Sequence, residues 1–190
     1  MNNIAVFASG SGTNAENIIR FFRPGKNINV KLIVSNKLSA KVLERAKNHN
    51  IAHSVFTREQ FYQSDNVLLE LDRYDIDFLV LAGFLWMVPE NLIKKFPYRI
   101  INIHPALLPK YGGKGMYGSK VHETVIANKE KESGITIHYV NERYDEGNII
   151  FQATCPIAEG DTAEMLASKI HKLEYEHFPR VIEEVVGKRV

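Results

Sequence analysis

Ile4-Ala5-Val6-Phe7-Ala8-Ser9-Gly10-Ser11-Gly12-Thr13-Asn14-Ala15 places an apolar run, a glycine-rich turn and the start of helical periodicity in direct succession. Ile4 to Ala8 reads as a buried strand and the helix begins near Asn14. The alternation continues outward from this stretch. Val30 to Ser35 predicts a second strand, Ala40 to Asn48 a helix, and Ala52 to Phe56 a third strand. Thr57 with Gln60 forms a capping box ahead of a helix running towards Arg73. Phe78 to Ala82 predicts a fourth strand, Pro89 opens a short helix, and Arg99 to His104 predicts a fifth. Strands alternating with helices in this way imply βαβ units and a parallel sheet covered on both faces.

The rhythm changes after His104. Pro105, Pro109 and the run Tyr111-Gly-Gly-Lys-Gly115 form a long loop, which is usually functional in a compact domain. A helix over Ser119 to Asn128, strands at Ile135 to Tyr139 and Ile149 to Thr154, and a C-terminal helix capped at Asp161 or Thr162 follow. Pro179 is expected to kink or interrupt that helix. The fold class is therefore α/β, a Rossmann-like doubly wound, mostly parallel sheet with a differently organised C-terminal part. Residues 1–190 are expected to form one domain.

Bulk composition narrows the function classes. With 45% hydrophobic and 24% charged residues the chain is an ordinary globular sequence, and one cysteine, Cys155, excludes an intrachain disulfide framework. A reducing, cytoplasmic setting is expected. No apolar run reaches bilayer-spanning length, so no membrane partner is expected. The net charge of +2 comes from 24 basic and 22 acidic residues mixed along the chain, which gives no nucleic-acid footprint. The seven histidines form no metal-ligand spacing with cysteine or carboxylates, so no metal is expected.

Ser9 to Ala15 has the position and composition of a phosphate site, because glycines let backbone N–H groups approach an anion at the positive end of a helix. A tight turn with a helix cap is the plainer reading. The letters also fit the dinucleotide pattern G-x-G-x-x-A. That rival needs an acidic residue after the second strand, where this chain has Ser35-Asn36-Lys37.

Along Arg99 to Pro105, Ile101 and Ile103 fall on one face of the strand and Asn102 and His104 on the other, at the edge where open α/β sheets bind ligands. An amide that can donate to an oxyanion and an imidazole that can move a proton suit carbonyl chemistry. Two buried polar groups paired with local backbone would give the same letters. Asp145, in Tyr144-Asp-Glu-Gly147, is a candidate acid or an ordinary turn aspartate. Glu174 shares the inward stripe of the C-terminal helix with Ile170 and Phe178, facing either a cationic partner or the wet edge of the stripe.

Ser9-Gly-Ser-Gly-Thr-Asn14, Leu81-Ala-Gly-Phe84, Ile101-Asn-Ile-His-Pro-Ala-Leu-Leu-Pro109, Asp145-Glu-Gly147 and Glu174 together resemble the folate-dependent formyltransferase superfamily, and specifically its phosphoribosylglycinamide formyltransferases. The resemblance runs from Ile4 to about Pro179. It implies transfer of the formyl group of N10-formyltetrahydrofolate, a co-substrate, to the amine of glycinamide ribonucleotide in de novo purine (IMP) synthesis. By it, Asn102, His104 and Asp145 are the catalytic residues, and Ser11, Gly12, Thr13, Asn14 and Glu174 bind the ribonucleotide. Arg58, Leu85, Trp86, Met87 and Val88, with Asn102 and the loop from Val140 to Asp145, bind the folate. The partners implied are two small molecules, with a monomer or homodimer as the assembly.

Two features depart from the family pattern: the loop from Tyr111 to Gly118 is longer and richer in glycine, and Trp86 stands where a basic or smaller residue is common. The alternatives are methionyl-tRNA formyltransferase, formyltetrahydrofolate hydrolase, or a non-catalytic module that binds a phosphorylated metabolite. The first carries an extra C-terminal domain and the second an N-terminal one, so a first strand at Ile4 and an end soon after the shared core favour the purine enzyme.

Overall fold

The computed structural model describes residues 1–22 and 26–188. Its elements are β1 (Asn2–Phe7), α1 (Thr13–Phe21), β2 (Ile28–Ser35), α2 (Lys41–Asn48), β3 (Ala52–Val55), α3 (Arg58–Tyr62), α4 (Asn66–Arg73) and β4 (Phe78–Leu81). The second half continues with α5 (Glu90–Lys95), β5 (Ile100–His104), α6 (Ser119–Ala127), β6 (Glu132–Tyr139), β7 (Ile149–Pro156) and α7 (Ala163–Gly187). The strands make one sheet in the order β3-β2-β1-β4-β5-β6-β7. β1 to β5 run parallel, while β6 and β7 are antiparallel to their neighbours.

Alternation along β1 divides the core in two. Ile4, Val6 and Ala8 face a cluster completed by α1, α2, α6 and α7, and Ala5 and Phe7 face one completed by α3, α4 and α5. Both faces are covered, so the central strands read as unbroken apolar runs. The chain leaves β1 towards β2 on one side and later returns to β4 on the other. That reversal opens a crevice beyond the carboxyl ends of β1 and β4.

The structure differs from the sequence expectation in two helices. Thr57 and Gln60 form the capping box, with Oγ1 of Thr57 accepting from the Gln60 amide at 3.2 Å and Gln60 Oε1 accepting from the Thr57 amide at 2.9 Å. The helix nevertheless stops at Tyr62 and restarts at Asn66. Ser64 Oγ donates to the Gln60 carbonyl at 2.8 Å and accepts from the Asn66 amide at 3.3 Å, so a hydroxyl competes for the backbone where the helix breaks. Conversely, α7 runs unbroken through Pro179. Proline lacks the N–H that would bond the Tyr175 carbonyl. Asn17 of α1 supplies the missing donor, its Nδ2 lying 2.9 Å from that oxygen.

No helix among the described residues is long and apolar enough to cross a membrane. Replacing Thr57 with Ala removes half of the capping box, and urea unfolding should show a loss of about 1 kcal/mol.

Candidate active site

The glycine loop after β1 is held from two sides. The Ser9 amide donates to the Gly83 carbonyl at 3.0 Å and Ser9 Oγ accepts from the Leu85 amide at 2.9 Å, which ties the loop to the turn after β4. From α2, the Val42 amide donates to the Gly10 carbonyl at 3.2 Å and Arg45 Nε to the Ser11 carbonyl at 2.7 Å. Gly12 caps α1 with φ 70°, and a Cβ there would lie 2.5 Å from the Val42 side chain. Packing against α2 therefore demands that glycine, whereas a Cβ on Gly10 would meet nothing within 4 Å. The amides of the first turn of α1, at Thr13, Asn14 and Ala15, have no intrahelical acceptor.

Ile101 and Ile103 point into one core cluster while Asn102 and His104 point the other way, as the alternation requires. His104 is 4% exposed. Its Nε2 lies 2.7 Å from the Tyr111 carbonyl, an atom that only accepts, so Nε2 carries the hydrogen. Nδ1 then holds the free lone pair, and it faces Asp145 Oδ2 at 3.6 Å. Asp145 sits in the turn between β6 and β7 with φ 56° and accepts from the Gly113 amide at 2.9 Å. The long loop after β5 thus bonds directly to both the histidine and the acid.

Sequence reasoning missed His138. Antiparallel pairing of β5 with β6 sets it opposite Asn102, with its Nε2 3.1 Å from Asn102 Nδ2 and 3.6 Å from Asp145 Oδ1. Its Nδ1 bonds the Tyr139 carbonyl at 2.8 Å, and a hydrogen on Nδ1 leaves Nε2 free to accept from the Asn102 amide. The signal was present, since Ile135-Thr136-Ile137-His138 repeats the alternation that marks Asn102 and His104.

Burial holds His104 below the ordinary imidazole pKa, outweighing Asp145 and the Tyr111 carbonyl, which push it up; His138 pushes it further down. Burial raises Asp145, yet His138, His104 and the Gly113 amide more than compensate and keep its carboxyl below the ordinary range. The empty site therefore sets a neutral imidazole beside an ionised carboxylate.

Asn102, His104, Asp145 and the glycine loop line a single cavity of about 740 Å³, with His122, His171 and Glu174 on its other wall. Glu174 is 7% exposed, which settles its position as buried in the stripe rather than at a wet edge. Asn14 Nδ2 donates to its Oε2 at 2.9 Å. Burial raises its pKa, opposed by Asn14 and His171. Asn14 Oδ1 and His122 Nδ1 are buried atoms without a partner. Burial, then His171 and His104, lower the pKa of His122. This wall accordingly presents an unpaired amide oxygen and an unpaired ring nitrogen beside the buried carboxyl.

Of the other sequence-derived candidates, Leu85 lines the cavity, whereas Arg58, Trp86, Met87, Val88 and Val140 are not among its lining residues. They gather beside it. Trp86 packs on Phe61, Tyr62 and Phe84 with ring centroids 5.3 to 6.2 Å apart, and Arg58 lies 5.1 Å from the Tyr62 ring and 6.0 Å from that of Trp86. Tyr62 donates its hydroxyl hydrogen to the Met87 carbonyl at 2.9 Å. Val88 is buried, and the Val140 amide bonds the Ile100 carbonyl at 3.0 Å.

The formyl transferase family model matches residues 2–182. The phosphoribosylglycinamide formyltransferase of Bacillus subtilis is 35% identical, across 98% of this chain and 96% of its own length. The crystal structure of the enzyme of that name from Bacillus halodurans superposes with a TM-score of 0.89 at 38% identity, covering 100% of this chain and 97% of that one. The chain belongs to the formyl transferase family, among the phosphoribosylglycinamide formyltransferases. The chloroplastic proteins of that name from Arabidopsis thaliana and Vigna unguiculata, 39% and 37% identical, are longer; this chain spans 66% and 62% of them.

For this formyltransferase family member, a buried carboxyl with a raised pKa has a stability consequence. Below the ordinary carboxyl value Glu174 is protonated in both folded and unfolded chains and costs nothing. As pH rises past that value, the unfolded chain releases its proton first and the folded state is penalised until its own pKa is passed. Thermal melts across pH should therefore show Glu174→Gln more stable than wild type at neutral and alkaline pH, with the gap closing under acid conditions. A wild type that matches the variant at alkaline pH would contradict the burial account.

Proposed function

We propose that the chain transfers the formyl group of N10-formyltetrahydrofolate to the amino group of glycinamide ribonucleotide, as a step in purine nucleotide synthesis. The observation that carries this reading is the juxtaposition in one cavity of an Asn102–His104–Asp145 cluster at the end of β5 and a glycine loop at the start of α1. The first suits acyl transfer, the second an anion. The amides from Ser11 to Asn14 receive the ribose phosphate. Glu174 accepts hydrogen bonds from the donor-rich ribose and glycinamide part, and Asn14 Oδ1 adds an acceptor to the same wall. The folate enters past Leu85 to Val88 and Val140, with the Arg58 guanidinium placed over aromatic rings to meet a carboxylate.

The chemistry follows from the tautomer. The neutral amine attacks the formyl carbon, forming a C–N bond while the carbonyl pair moves to oxygen. Asn102 donates to that oxyanion, a contribution that costs nothing in reorganisation when the donor is already aimed. The ammonium nitrogen then loses a proton, directly or through water, to Nδ1 of His104. The imidazolium so formed lies beside Asp145, which stabilises it. Collapse of the oxyanion expels the folate N10, and the proton held at Nδ1 goes to that nitrogen, giving the formamide and tetrahydrofolate. Because burial keeps His104 neutral at rest, the imidazolium is an intermediate of the cycle and not the resting form.

A formyl-transfer assay with glycinamide ribonucleotide, initiator methionyl-tRNA and water as acceptors tests the proposal; turnover confined to tRNA or water would reject it. Asn102→Ala should lower kcat by about 10² to 10³, the usual effect of losing an oxyanion donor. His104→Ala and Asp145→Ala should each be severely impaired, with the double variant little worse than the poorer single, because the pair handles one proton. In Asp145→Asn the imidazole should titrate at lower pH than in wild type, followed by NMR.

A further inference from the structure

Tyr111 has φ 57°, a left-handed conformation that a bulky L residue holds only where its surroundings enforce it. Its hydroxyl is fixed at both ends of its hydrogen-bonding capacity. It donates to Glu130 Oε1 at 2.8 Å and accepts from Asn128 Nδ2 at 3.0 Å, both just beyond α6. The carbonyl of the same residue reaches back 2.7 Å to Nε2 of His104. One side chain therefore clamps the backbone that orients the histidine. Lys110 also binds Glu130, at 3.1 Å, but its own side chain is largely exposed.

Resting on the formyl-transfer reading, we propose that Glu130 is a positioning residue for that reaction: through the Tyr111 hydroxyl it holds the Tyr111 carbonyl on Nε2 of His104 and so fixes Nδ1 as the nitrogen that takes the proton. A carbonyl on Nε2 makes the Nε2–H tautomer the stable one, and only in that tautomer does the basic lone pair face Asp145. If the carbonyl swings away, the ring loses its tautomer lock and one acceptor for its charged form. The charged and titratable groups facing the ring are Asp145 from the β6–β7 turn, His138 from β6 and His122 from α6. None of these binds Nε2 in place of Tyr111.

The test compares Glu130→Ala and Tyr111→Phe with wild type. Both should lose about 10-fold in kcat, the low end for an outer-shell partner of a functional histidine, with little change in KM for either substrate. The ¹⁵N spectrum of His104 in the substrate-free protein should change from the Nε2–H pattern to a tautomer mixture, and its titration should move to lower pH. Glu130→Gln, whose amide oxygen still accepts from Tyr111, should restore the wild-type pattern, and Lys110→Ala should leave both readouts unchanged. Folded Glu130→Ala and Tyr111→Phe proteins with an unaltered His104 tautomer and titration would overturn the proposal. Because the NMR readout needs no turnover, that failure is distinct from a wild type that transfers no formyl group.

Discussion

A parallel sheet covered on both faces has nowhere to put a polar side chain except where its strands end, and the site in this chain is a consequence of that constraint. The apolar runs Ile4 to Ala8, Phe78 to Ala82 and Ile100 to Ile101 of β1, β4 and β5 lead into Ser9, the turn at Gly83 and the pair Asn102 and His104 at one edge. The glycine loop supplies backbone donors and β5 supplies an amide and an imidazole. Asp145 comes from the antiparallel tail, which turns back towards the same edge because β6 pairs with β5. Fold and site share one geometric cause.

The electrostatics of the edge depend on a balance that burial wins for one group and loses for another. His104 is buried enough for desolvation to defeat an adjacent carboxylate, while Asp145 accepts from the Gly113 amide and stays ionised. The outcome is a neutral imidazole beside an ionised carboxylate. The 3.6 Å separation from Asp145, beyond a hydrogen bond, belongs to the same balance.

Much of this was legible before any coordinates. Period-two alternation around Asn102 and His104 and continuous apolar runs elsewhere marked the covered sheet and the edge where Asn102 and His104 meet, because those patterns follow from backbone geometry alone. That the helix continues through Pro179 was not legible because the donor to the freed carbonyl comes from Asn17, more than 150 residues away, which no local pattern carries. The break at Ser64 has the opposite, local cause: a single hydroxyl engages the backbone at the end of a helix whose capping box is intact. His138 went unremarked because alternation was read for one strand and not for its partner, and the pairing of β5 with β6 was not deduced. Tyr111, placed only in a glycine-rich loop by its neighbours, acts through a carbonyl, and main-chain roles leave no mark on residue identity.

The opposite wall of the cavity shows how the two halves of the site differ. Around His104 the polar groups satisfy one another before any ligand arrives, through Tyr111, Gly113, Asn102 and His138. Around Glu174 they do not: a buried carboxyl has one neutral donor, and the oxygen of that donor's amide is itself unpaired. Buried polar atoms without partners are rare because each forfeits its hydration without return. In the proposed function, a substrate bearing hydroxyl and amide donors meets these acceptors. The two walls of the one cavity of about 740 Å³ thus differ in kind: at the end of β5 the polar groups bond one another, and beside α7 an amide oxygen is left over.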